Sequence, residues 1–419
     1  MTNTTMETFG AWLEADQAGG IRLKYVPLLM IGGLVVLLIV AVIASTLSNL
    51  GLPAGPVDDD RLSEVEKARL AEYFHLQDDV TGTVWPGAGP RPAWGETPIP
   101  AIVHNEAYAF LVGYPGTPPD GWTVPGGLQR GGAWEVVPDD EVLGAPYYRQ
   151  ALPPSGETPQ NFTVLVGDVW VATLFTKAYA EVEFYEGFRL DLPGFLQPIF
   201  PYRLMWALLM GPTENYLGGL AHEAFHAYQG SVTPERLLAA ERRPGAAYDW
   251  DAAREAWREE LALLRDAAKA AHDAGTSEAE VREAARQWLA QREVRRTAQG
   301  LGELGLEFER QAEWLEGLAK YAELTLGPAT QAAVGAGDHA PVSGLDADDE
   351  FRGYRTRERN WRQQLDQLTQ MVNQGETRFY YTGFAQGVLL DRLLPGWKAR
   401  AMDEGVWLEA LVAEALRNE

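Results

Sequence analysis

His222-Glu223-Ala224-Phe225-His226 sits inside a segment, Tyr216 to Gly230, whose composition predicts a helix. Residues four apart share one face of a helix, so the imidazoles of His222 and His226 can grip one metal ion. Glu223 projects toward the edge of that face, within reach of a water held by the ion. With only six His in 419 residues, chance supplies this spacing in about one such chain in a hundred. There is no Cys, so a metal here must use His, Asp or Glu, and no disulfide framework exists.

The chain is long enough to bury a sizeable core. Its net charge of -24 argues against nucleic acid as a partner, because phosphate binding needs clustered Lys and Arg. Val26 to Ala44 is almost wholly apolar, and the uncharged stretch continues to Val57. That length crosses the roughly 30 Å of bilayer hydrocarbon as a helix. A cleaved signal peptide fits less well, since the run begins late and no clear A-x-A site follows it. Arg22 and Lys24 precede the run, and the next basic residue, Arg61, stands behind Asp58-Asp59-Asp60. The positive-inside rule then predicts a cytoplasmic tail at 1–25, a single transmembrane helix at 26–48 and an extracytoplasmic remainder. Residues 49–100, rich in Pro, Gly and Asp with a helical patch from Leu62 to Phe74, read as a stalk.

From Ile102 the pattern changes. Ile102 to Val112 and Phe162 to Tyr185 read as strands, the latter including the alternation across Lys177 to Phe184 and a turn at Gly167-Asp168. After Pro201 the chain reads as helical. Asp249 to Ala274 and Ser277 to Arg296 form a hairpin, with Ser277 and Glu280 as a capping box. Its density of Glu, Arg and Ala reads as a solvated lid or docking arm. A third helix follows from Gly302 to Leu326. Asp346, Asp348, Asp349 and Glu350 read as a solvated acidic loop without the spacing of an EF-hand. The expected fold is α+β: an N-terminal membrane helix, then a domain over 101–419 in which a small β-sheet precedes a mostly helical part, with the hairpin at 249–296 as an insertion.

A catalytic zinc typically takes three protein ligands and keeps one position open. None of His75, His104, His272 and His339 follows the motif at the short spacing of an H-E-x-x-H-x-x-G-x-x-H pattern. His104 reads as a structural residue on its strand, and His272 and His339 read as incidental in solvated segments. A carboxylate from a later helix is the remaining donor type. Trp314-Leu315-Glu316-Gly317-Leu318-Ala319-Lys320-Tyr321-Ala322-Glu323 stands out. Together with the H-E-x-x-H helix it resembles the gluzincin group of zinc metallopeptidases, in which a second helix carries the third ligand in an E-G-x-A-x-Y-like context.

The resemblance covers 218–230 and 313–323. It implies a zincin-like catalytic domain, Zn2+ held by His222, His226 and Glu316, Glu223 as general base, and a peptide or protein substrate. Glu303, Glu307, Glu309, Glu313 and Glu323 are competitors on the same helix. Glu323, seven residues on and near the same face, is placed to orient a ligating His. The 89 residues between His226 and Glu316 exceed the usual family gap, and the hairpin accounts for the excess. Gluzincin-like enzymes often bring a Tyr or His to the oxyanion from a later helix, which makes Tyr380 and Tyr381 candidates. Aromatic core packing is the alternative for each. Gly383 and Gly387 share a face with Tyr380, so another helix can sit against it. A strand edge from 162–185 is placed to align an extended peptide.

The expected function is therefore a membrane-anchored zinc metallopeptidase. The alternatives are a non-catalytic, membrane-tethered zinc-binding or interaction module and a zinc hydrolase of non-peptide amides. Glu223 separates the first alternative from the leading reading, since a structural site has no use for a Glu there. Substrate identity and oligomeric state have no signature in the sequence.

Overall fold

The computed structural model describes residues 26–153, 158–159, 161–242 and 248–417. The tail expected at 1–25, with Arg22 and Lys24, lies outside them. The described residues fall into two compact units: one from the stretch up to Ala54 with Glu181–Leu209, the other from Gly55–Ala180 with Met210 onward.

The first unit contains α1, Val26–Ser48. Its Met30–Ser48 portion has a mean hydropathy of 2.7 and is unburied, so it is long and apolar enough to cross a membrane. A signal sequence shares that length and composition.

The second unit begins with α2, Glu64–Leu76, whose N-cap Ser63 accepts from the backbone N–H of Glu66. The helix runs on through a π-turn at Gln77–Thr81. Leu70, Tyr73, Leu76, Val80, Trp85 and Trp94 are all buried in the main core. The stretch read as a stalk is thus, from Gly55, part of the folded unit. Its Pro- and Gly-rich turns serve to return two buried tryptophans to the core.

The strands are β1 Ala101–His104, β2 Tyr108–Val112, β3 Trp122–Thr123, β4 Gln129–Arg130, β5 Glu135–Val142, β6 Ala145–Ala151, β7 Phe162–Val166 and β8 Val169–Phe175. They form a sheet in the order β4-β3-β7-β8-β1-β2-β6-β5. Only β1 and β8 pair in parallel; the other neighbours are antiparallel. The turn at Gly167-Asp168 joins β7 to β8 as expected, but the strand reading fails from Lys177. Lys177–Asp191 is helix α3. Thr176 Oγ1 accepts from the Tyr179 N–H, and Glu66 accepts from the Ala178 N–H. These two acceptors satisfy first-turn donors and override a period-two pattern made largely of Ala and Glu, which are poor strand formers.

The remaining helices are α4 Tyr202–Leu209, α5 Thr213–Val232, α6 Pro234–Glu241, α7 Arg254–His272, α8 Glu278–Gln299, α9 Glu303–Ala312, α10 Leu318–Ala336, α11 Arg357–Gln367, α12 Thr377–Leu393, α13 Trp397–Ala401 and α14 Leu408–Arg417. A π-turn at Glu313–Gly317 joins α9 to α10. The class is α+β, as the sequence predicts. In the second unit α5 lies between the sheet, through β8, and α10, with α12 packed on α10 and on the π-turn. A Cβ at Gly230 would stand 2.5 Å from the Trp170 ring of β8, so this glycine lets α5 lie flat on the sheet.

The hairpin α7–α8 carries the predicted capping box but is no exposed lid. Trp257, Leu261, Leu264, Val281, Ala285 and Trp288 are fully buried. The stripe 281, 285, 288 continues into Arg292 and Arg295, which are also buried. Arg292 pairs with Glu260 (2.8 Å), Glu409 (3.1 Å) and Glu313; Arg295 pairs with Glu260 (2.7 Å) and Glu309; Arg296 pairs with Glu309 (3.0 Å) and Glu409 (2.7 Å). Charge density read as solvation is here an internal ion-pair cluster. The acidic loop is likewise only partly solvated. Asp348 is buried and accepts from Arg69 Nε (2.8 Å) and Thr213 Oγ1 (2.7 Å), and Glu350 pairs with Lys177, while Asp346 and Asp349 are exposed.

Candidate metal centre

Three elements converge on His222 and His226: α5, the π-turn running into α10, and α12. The two Nε2 atoms are 3.2 Å apart. Glu316 Oε2 lies 3.6 Å from His222 Nε2 and 3.3 Å from His226 Nε2. Residues separated by 89 others in the chain thus present two nitrogens and one oxygen to a common point. His222, Glu223 and His226 also place one ligand atom each within 4.8 Å of one another, a grouping able to hold a metal ion.

The far side of each imidazole is fixed. Gln229 Nε2 donates to Trp314 O at 3.0 Å, which orients its amide so that Oε1 accepts from His226 Nδ1 at 2.9 Å. Glu323 Oε2 accepts from His222 Nδ1 at 3.1 Å. These acceptors hold a proton on Nδ1 of both rings and turn both Nε2 atoms to the centre, the orientation metal ligation requires. Glu323 in turn receives Lys320 Nζ at 2.6 Å. Burial pushes the Glu323 carboxyl up, but Lys320 and His222 outweigh it and hold the group at about 2. It is a carboxylate. His226 is pushed down, chiefly by burial. Burial also acts to lower His222, yet hydrogen bonds to Glu316 and Glu323 carry it up to about 10. Glu316 is held well below the carboxylate range by the two His against its burial.

Glu223 is the anomaly. Its Oε2 is buried and has no hydrogen-bond partner. Burial lifts its carboxyl to about 8, against the pull of His222. A buried polar atom without a partner is costly and calls for an explanation.

Tyr380 stacks on His222, centroids 5.7 Å apart and planes at 8°. The expectation of a second tyrosine is not met. The Tyr381 hydroxyl donates to Gln364 Oε1 at 3.0 Å, and its ring faces Lys320. Phe162, at the start of β7, lies 4.6 Å from the His226 ring. The strand edge expected within 162–185 is not found: β7 lies between β3 and β8, β8 between β7 and β1, and Thr163 and Val164 are buried.

The competitors on the Glu316 segment have other partners. Glu313 and Glu309 belong to the arginine cluster. Glu303 and Glu307 are exposed. His104 is buried, with its Nδ1 3.4 Å from Asn105 O. His272 packs on Trp361 and pairs with Glu358 at 3.1 Å. His339, read as incidental, is instead buried between Glu72 (3.0 Å) and Asp79 (2.8 Å). Sequence reasoning missed Gln229, three residues after His226. The signal available was its i+3 position on the motif helix, which puts an amide on the imidazole's side. No family model matches the chain, and comparison with curated proteins and with solved structures yields no match either.

Proposed function

We propose that this chain is a membrane-anchored, zinc-dependent metallopeptidase of zincin type, with His222, His226 and Glu316 as zinc ligands. The observation that carries the reading is the triangle of Nε2, Nε2 and Oε2 with edges of 3.2, 3.3 and 3.6 Å. Tetrahedral zinc with bonds of about 2.0–2.1 Å needs ligand atoms about 3.3 Å apart. The donor set, two neutral imidazoles and one carboxylate, suits that ion and leaves one position for solvent or substrate. When bound, zinc supplies Lewis acidity that polarises a carbonyl oxygen and acidifies water.

The chain's own residues do the rest. Glu223, with its unpartnered oxygen beside the two His, would in its ionised form accept a proton from the attacking water and return it to the leaving amine. Gln229 and Glu323 keep both imidazoles in the ligating tautomer. Tyr380, whose ring stacks on His222, is the residue proposed to donate its hydroxyl to the oxygen that gains charge as the carbonyl carbon becomes tetrahedral. The single apolar helix α1 supplies the anchor. The test is metal analysis of the purified full-length protein, followed by cleavage of a peptide library with and without a chelator. Zinc bound at one equivalent with chelator-sensitive cleavage supports the reading; bound zinc with no cleavage of any peptide defeats it.

A further inference from the structure

Within the first unit, the end of α1 is stitched to the stretch 197–203. Ser45 Oγ donates to Ile199 O at 2.8 Å, and Asn49 Nδ2 donates to Phe200 O at 2.8 Å and to Pro198 O at 3.2 Å. Arg203, in the first turn of α4, donates back to Ser48 O at 2.8 Å and Gly51 O at 3.0 Å. Backbone carbonyls of an irregular segment are thus satisfied by side chains at the exit of an apolar helix. That is the satisfaction demanded at the border of hydrocarbon, where water is scarce.

The segment so fixed exposes large apolar side chains. Leu190 is 86% exposed, Phe195 76%, Leu208 68%, Leu209 58% and Leu204 56%. The other face of α4 is also apolar: Tyr202 and Trp206 are buried, with Trp206 edge-on to Phe184 and Phe200 packed on Phe188 and Tyr202. Its sole charge, Arg203, is turned to the carbonyls of α1. A short helix apolar on both faces, beside a cluster of aromatic rings, has the composition of a membrane interface and not of a solvated surface.

We infer that Leu190–Leu209 is a second membrane-contacting element, lying in the interfacial layer of the bilayer that α1 crosses, with Leu190, Phe195, Leu204, Leu208 and Leu209 inserted among the acyl chains. The occupant of this apolar surface is lipid. Its attachment to Ser45 and Asn49 sets its depth: α1 is about 35 Å long, so the hydrocarbon boundary falls near its end. The inference rests on the reading of α1 as a membrane span. It assigns the first unit a two-point attachment that fixes its tilt against the membrane plane as well as its depth.

The chain lacks Cys, so single-cysteine variants report one position each. Full-length protein carrying Phe195→Cys, Leu208→Cys, Leu38→Cys or Leu128→Cys is labelled with an environment-sensitive fluorophore. It is then reconstituted in phosphatidylcholine vesicles containing a minor fraction of phosphatidylglycerol. Lipids bearing a nitroxide near the headgroup should quench the labels at 195 and 208, whereas lipids with the nitroxide near the chain terminus should quench the label at 38. The label at 128, an exposed position in the second unit, should keep its intensity with both. If 38 is quenched while 195 and 208 behave like 128, the interfacial element is refuted and the anchor stands. If 195 and 208 are shielded from water-soluble quencher but untouched by nitroxide lipid, protein covers the surface and the inference fails. If none of the positions meets lipid, the anchor fails and takes the inference with it.

Discussion

Gly317 and Gly383 meet backbone to backbone: a Cβ on either would stand 2.5 Å from the other's Cα. This contact seats the residue next to Glu316 directly on α12, the helix that carries Tyr380. Neither position has a flexible neighbour to yield, since Glu313 O is 2.6 Å from a Cβ on Gly383. Gly383→Ala should therefore destabilise the protein by about 1–3 kcal/mol or more and weaken metal retention. Gly335→Ala, in α10 with nothing within 4 Å of the added carbon, should be neutral or stabilising by up to about 1 kcal/mol. Thermal melts of the two variants side by side check this; equal melting temperatures would disprove the tight crossing.

Glu223→Gln should keep the metal and the fold while hydrolysis falls by roughly 10²–10⁴-fold, because the proton acceptor is lost and both His remain. Bound metal per chain and cleavage rate are the two measurements. A variant as active as the parent would remove Glu223 from the chemistry.

Glu316→Ala should strip the site of metal and, in the metal-free protein, lower the melting temperature through the lost contacts with His222 and His226. Glu313→Ala should do something different. Glu313 accepts from Arg292 and from Thr382 Oγ1 (2.7 Å) in a buried setting. Its loss leaves a buried guanidinium short of a partner, a cost of about 3–5 kcal/mol. Metal titration and melting of both variants distinguish a ligand from a structural carboxylate three residues away.

Glu323→Gln should lower metal affinity about 10–100-fold without unfolding the chain, because the amide oxygen still accepts from His222 Nδ1 but the charge that Lys320 balances is gone. Competition with a chelating dye measures the affinity, and an unchanged value would show that this carboxylate does not tune the site.

Acid should unfold the protein cooperatively. Burial opposes ionisation of Glu409, but Arg292 and Arg296 hold it at about 2. Its stabilising contribution is present above the ordinary carboxylate value near 4.5 and is lost as pH falls toward 2, and amounts to about 3 kcal/mol at most. Glu260 is lowered in the same sense: Arg295 and Arg292 outweigh its burial. Glu409→Gln should reduce stability at neutral pH and flatten its decline between pH 5 and 2 (roughly the window between the two values). Denaturant melts across that range report it; a parallel decline in both proteins would show that the cluster does not govern acid stability.

The helix carrying His222 and His226, the α8 cap at Ser277 and the turn between β7 and β8 were legible because each has a local cause, a spacing or a cap within four residues. The stalk and lid readings failed for a common reason. Polarity predicts exposure only when charges lack partners, and the partners of Arg292, Arg295 and Arg296 lie up to 117 positions away. The edge strand β5 and its neighbour β6 escaped notice because β5, with Pro138 and two Asp, has the composition that edges tolerate. The cluster at His222 includes Glu316, which the sequence favours over its neighbouring glutamates only through its E-G-x-A-x-Y-like context; the physical cause that turns it inward is not local. It lies in the Gly317–Gly383 contact and the arginines that claim the others.

The arginine cluster also imposes an order of assembly. Glu313 is tied to Arg292, and Arg292 to Glu409 of α14. During synthesis His222, His226 and Glu316 leave the ribosome well before Glu409 does. The ion pairs behind Glu313 are complete only once α14 has docked, so a chain still without that segment leaves Arg292 and Arg296 short of one carboxylate.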